Sequence, residues 1–185
     1  MWTLSKDIKM RQKKNILELT RMSASECRTA AKLPVKLLLY NVRSLNNVGS
    51  LLRTSDAFRV QEVVMCGITG TPPHPEIHKT ALGAEDSVLW RHAPSCLEEA
   101  HSLQACGWRV CVLEQTHDSV SLQDWCPAAG EKYAVVCGNE VHGVDQTVVD
   151  AADIVIEIPQ AGAKHSLNVS VSTSLLLWTL FSALR

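Results

Sequence analysis

The strongest constraint on the fold is a set of short runs with hardly a polar residue in them, separated by segments patterned as helices. Val35 to Tyr40, Glu62 to Cys66, Trp108 to Glu114, Tyr133 to Cys137 and Asp153 to Ile158 read as strands. Val48 to Phe58, Ser95 to Cys106, Asp145 to Ala152 and Leu167 to Leu184 read as helices, the first entered through the Asn46-Asn47 cap region. A strand exposed on one side alternates polar with apolar, whereas one buried on both faces needs the continuous apolar runs seen here. Regular alternation of the two elements predicts an α/β fold, a mostly parallel sheet with helices on both faces. With 185 residues and 46% hydrophobic content the chain is most simply one such domain.

Residues 4–26 lack Pro and Gly and carry Leu4, Ile8, Ile16, Leu17 and Leu19 among charges, the pattern of one or two amphipathic helices. Leu33-Pro34 breaks that pattern, so the expected division is a basic helical extension over 1–33 and the sheet domain over 34–185. Charge follows the same division. Residues 1–60 hold 12 Lys and Arg against 4 Asp and Glu, a net +8, while 61–185 hold 6 against 15, a net −9. Lys6, Lys9, Arg11, Lys13, Lys14, Arg21, Arg28, Lys32 and Lys36 would seek phosphates if they cluster in space, or form a solvated helix face if they do not.

Other classes are disfavoured. No run approaches the ~18 apolar residues of a membrane span, and the N-terminus lacks the apolar core of a secretory signal. The expectation is a soluble, cytoplasmic protein without a membrane partner. Cysteines at 27, 66, 96, 106, 111, 126 and 137 are odd in number and contain no C-x-x-C, which favours reduced, buried thiols. His74-Pro75-Glu76-Ile77-His78 has metal-like spacing but no second ligand pair, so no metal is expected. No Gly-x-Gly-x-x-Gly or Gly-x4-Gly-Lys-Ser/Thr follows a strand, which argues against dinucleotide and P-loop sites.

Three segments carry the chemistry. The first is Asn47-Val48-Gly49-Ser50-Leu51-Leu52-Arg53-Thr54. The second is Gly138-Asn139-Glu140-Val141-His142-Gly143, directly after an apolar run. The third, Ile158-Pro159-Gln160-Ala161-Gly162-Ala163-Lys164-His165-Ser166-Leu167-Asn168-Val169-Ser170-Val171, places small polar residues between a strand and an apolar helix. Taken alone, the third could be an ordinary turn with Ser166 as helix N-cap.

In this order the three resemble the motifs of the SPOUT methyltransferases, and within them the TrmH family of RNA ribose 2′-O-methyltransferases. The resemblance runs from about Pro34 to Arg185. It implies a deep trefoil knot in the C-terminal part, S-adenosylmethionine as cofactor, tRNA or rRNA as partner, and a homodimer. By the same resemblance Asn47, Arg53, Glu140, Ser166 and Asn168 are the catalytic set. Arg53 would clamp a phosphate and stabilise the forming alkoxide, since its pKa above ~12 makes it a poor base. Glu140 would partner Arg53 or a ribose hydroxyl, and Asn47 would orient Arg53 or the ribose. Ile158 and Leu167 would hold the adenine through their backbones with Gly138 beneath, the Glu114-Gln115-Thr116 strand end would lie beside the methionine moiety, and Gly162 would belong to the donor-binding loop, which a bulky residue there would close. The rival reading is a catalytically inactive RNA-binding or assembly factor that keeps the fold. Ser166 has no His-Asp relay in view, which argues against a serine hydrolase.

Overall fold

The computed structural model describes residues 12–15, 18–19 and 22–185. Seven strands form one sheet: β1 Leu33–Tyr40, β2 Val60–Cys66, β3 Trp90–Ala93, β4 Arg109–Leu113, β5 Val120–Ser121, β6 Tyr133–Cys137 and β7 Ile154–Glu157. Their spatial order is β3-β2-β1-β6-β4-β7-β5 and every pairing is parallel.

The apolar runs are explained by two cores, one on each face. Side chains alternate along a strand, so Val35, Leu37 and Leu39 enter one core while Leu38 enters the other. Val63 and Met65 join the first core and Val64 and Cys66 the second; β6 divides in the same way. Helices α2 Leu45–Ala57, α3 Pro75–Ala81, α4 Ala84–Ser87 and α7 Val169–Leu184 cover the first face. Helices α5 Cys96–Ala105 and α6 Gln146–Asp150 cover the second. No helix among the described residues is long and apolar enough to cross a membrane.

Neighbouring strands β1 and β6 hand the chain to opposite faces, β1 to α2 and β6 to α6. A crevice forms outside the carboxyl ends of a parallel sheet at such a point. It is where the three motifs converge.

Some expectations need correction. The helices expected over 4–26 lie mostly outside the described residues; 12–15 are not helical, and α1 Ala24–Thr29 begins only at a Ser23 capping box. That helix packs on the domain, with Arg28 Nε donating to the Asp86 carbonyl at 2.6 Å. The final helix starts at Val169 with Asn168 as N-cap, not Ser166, because Asn168 Oδ1 accepts the Ser170 N–H at 2.9 Å. The Pro-rich stretch after Gly70 hid α3, where Pro75 takes a first-turn position whose missing N–H costs nothing. The sequence reading also passed over β3, a four-residue edge strand bearing Arg91 and His92, and the two-residue β5.

Candidate active site

The site is organised around one carboxylate. Glu140, just beyond β6, accepts the backbone N–H groups of Arg43 at 3.1 Å and Ser44 at 3.0 Å, and Asn47 Nδ2 at 3.0 Å. It thus sits at the start of α2, where a helix favours negative charge. Burial pushes this carboxyl up, but the donors from Arg43, Asn47 and Ser44 together outweigh it and hold it below its ordinary 4.5. Asn47 in turn accepts Asn168 Nδ2 on Oδ1 at 3.2 Å. Asn168 completes the chain by capping α7 and accepting Ser170 Oγ at 2.6 Å. One residue from each motif is therefore joined in a single hydrogen-bonded series, with both helix starts fixed to it.

Beside this series lies a cavity of about 590 Å³ at the carboxyl ends of β4, β6 and β7, within the ~300–1,000 Å³ range of small-molecule sites. Glu114, Gly138, Glu140, Ile158, Ser166, Leu167 and Asn168 line it. Glu114, Glu140 and Glu157 are among its lining residues, with His142 and His165, and no lysine or arginine is.

The cavity walls are tied to one another. Glu114 Oε2 accepts the Val144 N–H at 3.1 Å and Oε1 accepts the Gln115 N–H at 3.0 Å. Gln115 Nε2 reaches the His165 carbonyl at 3.1 Å, bringing in the third loop. Asn139 and Gly143 exchange two backbone bonds of 3.0 Å, and Asn139 Nδ2 donates to the Asn41 carbonyl at 2.9 Å. Gly143 has φ +67°, and a side chain there would meet Glu114 Oε2 at 2.1 Å. A Cβ at Gly138 would lie 2.4 Å from the Gly143 carbonyl carbon. Gly138 is thus required by closure of its own loop, a reason the sequence could not give.

Not every expected residue enters the cavity. Arg53 is exposed on α2 and, of the two partners expected for Glu140, Arg53 or a ribose hydroxyl, Arg53 is not one it meets; its side-chain partner is Asn47. Thr116 lies past the cavity wall, donating to Asp118 at 3.0 Å. Gly162 is exposed, and a Cβ there would meet nothing within 4 Å, so the loop does not need glycine for space. Sequence reading named Gln115 only as part of the 114–116 strand end, and missed the tying roles of Gln115, Asn41, Asn139 and Glu114. Their only signal is a polar side chain set immediately after an apolar strand. His74 caps α3 through Nδ1, accepting the Glu76 N–H at 3.2 Å, while His78 pairs with Glu85. Among the described residues no group of three His, Cys, Asp or Glu side chains could hold a metal ion.

The model of the SpoU rRNA Methylase family matches residues 34–178. This chain belongs to the SpoU rRNA methylase family. It is similar to the 23S rRNA (guanosine-2'-O-)-methyltransferase RlmB of Nitrosomonas europaea, 32% identical over 149 residues, or 78% of this chain and 55% of that protein. The chain spans 55% to 59% of the length of the RlmB relatives it matches. The fold is shared with the A. aeolicus TrmH/SpoU tRNA modifying enzyme, at TM-score 0.77 and 22% identity over 86% of this chain and 80% of that one. It is shared too with the AdoMet-bound rRNA methyltransferase of Sinorhizobium meliloti, at TM-score 0.75 and 23% identity over 84% and 61%. The α/β architecture expected from the alternation of strands and helices is thus the one these SpoU-type structures have.

Proposed function

We propose that this SpoU-family protein transfers a methyl group from S-adenosylmethionine to a ribose 2′-hydroxyl of tRNA or rRNA, acting in the cytoplasm as a homodimer. The observation that carries the reading is the series Glu140–Asn47–Asn168 at the edge of a cavity lined by Glu114, Glu140 and Glu157 and by no lysine or arginine. The residues present fit the donor. S-Adenosylmethionine is net cationic through its sulfonium and ammonium groups, so a wall of Glu114, Glu140 and Glu157 suits it and disfavours a nucleoside polyphosphate. Ile158 and Leu167 supply apolar surface and main-chain groups for the adenine.

When bound, S-adenosylmethionine supplies a methyl group made electrophilic by its sulfonium. The chain's residues must present a ribose hydroxyl to it, manage one proton and exclude water. Glu140 is an organiser here, because its oxygens already accept three hydrogen bonds and its carboxyl is held ionised. It fixes Asn47 and the entry to α2, and Asn47 fixes Asn168. Arg53, exposed on the same helix, is free to clamp the substrate's phosphate, whose oxygen takes the proton while the guanidinium steadies the forming alkoxide. Ser166, lining the cavity, positions the ribose.

The remaining parts of the proposal rest on other surfaces. The fold shared with SpoU-type enzymes supports the knotted C-terminal segment that the motif resemblance implies. Val171, Leu175 and Trp178 form an exposed apolar stripe on α7, with Trp178 54% exposed. A second copy of the chain would cover it. The basic residues before Lys36 would contact RNA phosphates. Mapping ribose methylation by mass spectrometry in RNA from cells with and without the protein tests the function. At least one 2′-O-methyl nucleotide should vanish with the protein; an unchanged map would leave only the binding-factor reading.

A further inference from the structure

The third motif forms the loop 158–167, between β7 and the Asn168 cap of α7. It supplies Ile158, Gln160, His165, Ser166 and Leu167 to the lining of the cavity. Yet residues 159–168 are exposed one after another, and a Cβ at Gly162 would meet nothing within 4 Å. Such a backbone gives most of its polar groups to water, so little in the domain fixes its course. Among the described residues a single hydrogen bond reaches 158–167, and it comes from Gln115, whose Nε2 donates to the His165 carbonyl at 3.1 Å. No ion pair among the described residues holds this loop.

Gln115 is well placed for this contact. It stands just past β4, with its own N–H held by Glu114 Oε1 at 3.0 Å, while Glu114 Oε2 holds the Val144 N–H at 3.1 Å. Two consecutive residues thus hold different walls of one cavity, Glu114 the loop after β6 and Gln115 the third loop. The residue type matters as well. A carbonyl needs an N–H or O–H opposite it, and asparagine is one carbon shorter. Glutamate has the length but, ionised, offers only acceptors. Lysine or arginine would bring a positive charge to a cavity lined by neither, against a net cationic S-adenosylmethionine. Glutamine reaches and donates without charge.

We propose that Gln115 is a positioning residue for S-adenosylmethionine, acting through the His165 carbonyl to hold Ser166 and Leu167 in the cavity wall before the ligand arrives. The inference rests on the methyl-transfer reading for the identity of the ligand, and on the Gln115–His165 bond for a residue that sets its affinity. Order that the loop already has need not be supplied by the ligand at binding, so the bond adds to affinity. Gln115 and His165 are both exposed, and water competes for an exposed hydrogen bond, which keeps the gain modest. Once the ligand is seated, its own contacts hold the loop too. Gln115 therefore governs how readily the site fills and leaves the filled site's turnover alone.

The test compares the full chain with Gln115→Met, which keeps the side chain's length and removes its N–H groups. Calorimetric titration of S-adenosylmethionine should give a Kd about fivefold higher in the variant, as one exposed hydrogen bond would set it. In methyl transfer to RNA, the KM for S-adenosylmethionine should rise by the same factor, with kcat and the KM for RNA unchanged. Lys164, beside His165 in the loop, gives a readout independent of activity. Without ligand, trypsin should release the 165–185 fragment about fivefold faster from the variant, because cleavage follows the population of the open loop. Saturating S-adenosylmethionine should slow that cut in both proteins, and their urea midpoints should coincide. An unchanged Kd or an unchanged cleavage rate overturns the proposal. So does a variant whose kcat or urea midpoint falls along with its affinity, since the bond would then be a general support of the fold. Failure of the unaltered chain to bind S-adenosylmethionine would overturn the methyl-transfer reading itself, whereas tight binding untouched by Gln115→Met would strike only the role of Gln115.

Discussion

Glu140 shows how one side chain can organise a site without reacting. It joins the start of α2 to the loop after β6, and through Asn47 it reaches the start of α7. Because its folded carboxyl is held below its ordinary 4.5, its contribution to stability is fully present above that value. The contribution is lost as pH falls through the folded one. Glu140→Gln replaces one acceptor oxygen with a donor facing N–H groups, which should cost about 1–3 kcal/mol at neutral pH. Urea unfolding of the two proteins should show that gap narrowing as pH drops below 4.5; a constant gap would mean that the charge plays no part. Arg53 behaves differently, since it is exposed and unpaired with Glu140. Arg53→Ala should lower turnover by roughly two orders of magnitude while leaving donor affinity almost unchanged. Loss of donor affinity alone, measured by calorimetry, would refute its assignment to the substrate phosphate.

At the scale of elements, five of the seven strands were legible because burial on both faces leaves a run such as Val135, Val136 and Cys137 no polar position. Helix α3 was not, since Pro75 reads as a loop residue until one sees it in the first helical turn. The site was legible at Asn47, Glu140 and Asn168, whose types and order carry the family pattern. Their mutual bonds were not, because nothing in spacing says that Glu140 meets Asn47 rather than Arg53. Glycines show the same limit. Gly162 was expected to be needed in the donor-binding loop, yet a Cβ there would meet nothing within 4 Å, while Gly143 is hemmed in by Glu114 at φ +67°. Gly143→Ala should therefore weaken S-adenosylmethionine binding at least about tenfold, by strain in a left-handed position, and Gly162→Ala should leave it unaltered. Gly49 marks the contact of α2 with α3, where a Cβ would lie 2.1 Å from Thr80 Oγ1 and 2.3 Å from the Ile77 carbonyl. Gly49→Ala should destabilise the fold by about 1–3 kcal/mol in urea melts.

For the molecule as a whole, a sheet buried on both faces leaves the crevice at its carboxyl end as the place where the three motifs meet. Five of the seven cysteines are buried, leaving Cys106 and Cys126 exposed. Burial also pushes the Cys111 and Cys137 thiols up to about 12. A thiol reagent should label Cys106 and Cys126 in the native protein, and all seven only after unfolding. Rapid native labelling of Cys111 or Cys137 would mean that the core opens. The central claim is that this architecture moves a methyl group onto ribose. Incubating the protein with S-adenosylmethionine bearing a deuterated methyl and with total tRNA and rRNA, then digesting to nucleosides, measures it directly. The account predicts the label in 2′-O-methyl nucleosides, strongly reduced by Arg53→Ala. Label on a base, or none in RNA although the donor binds, would contradict it.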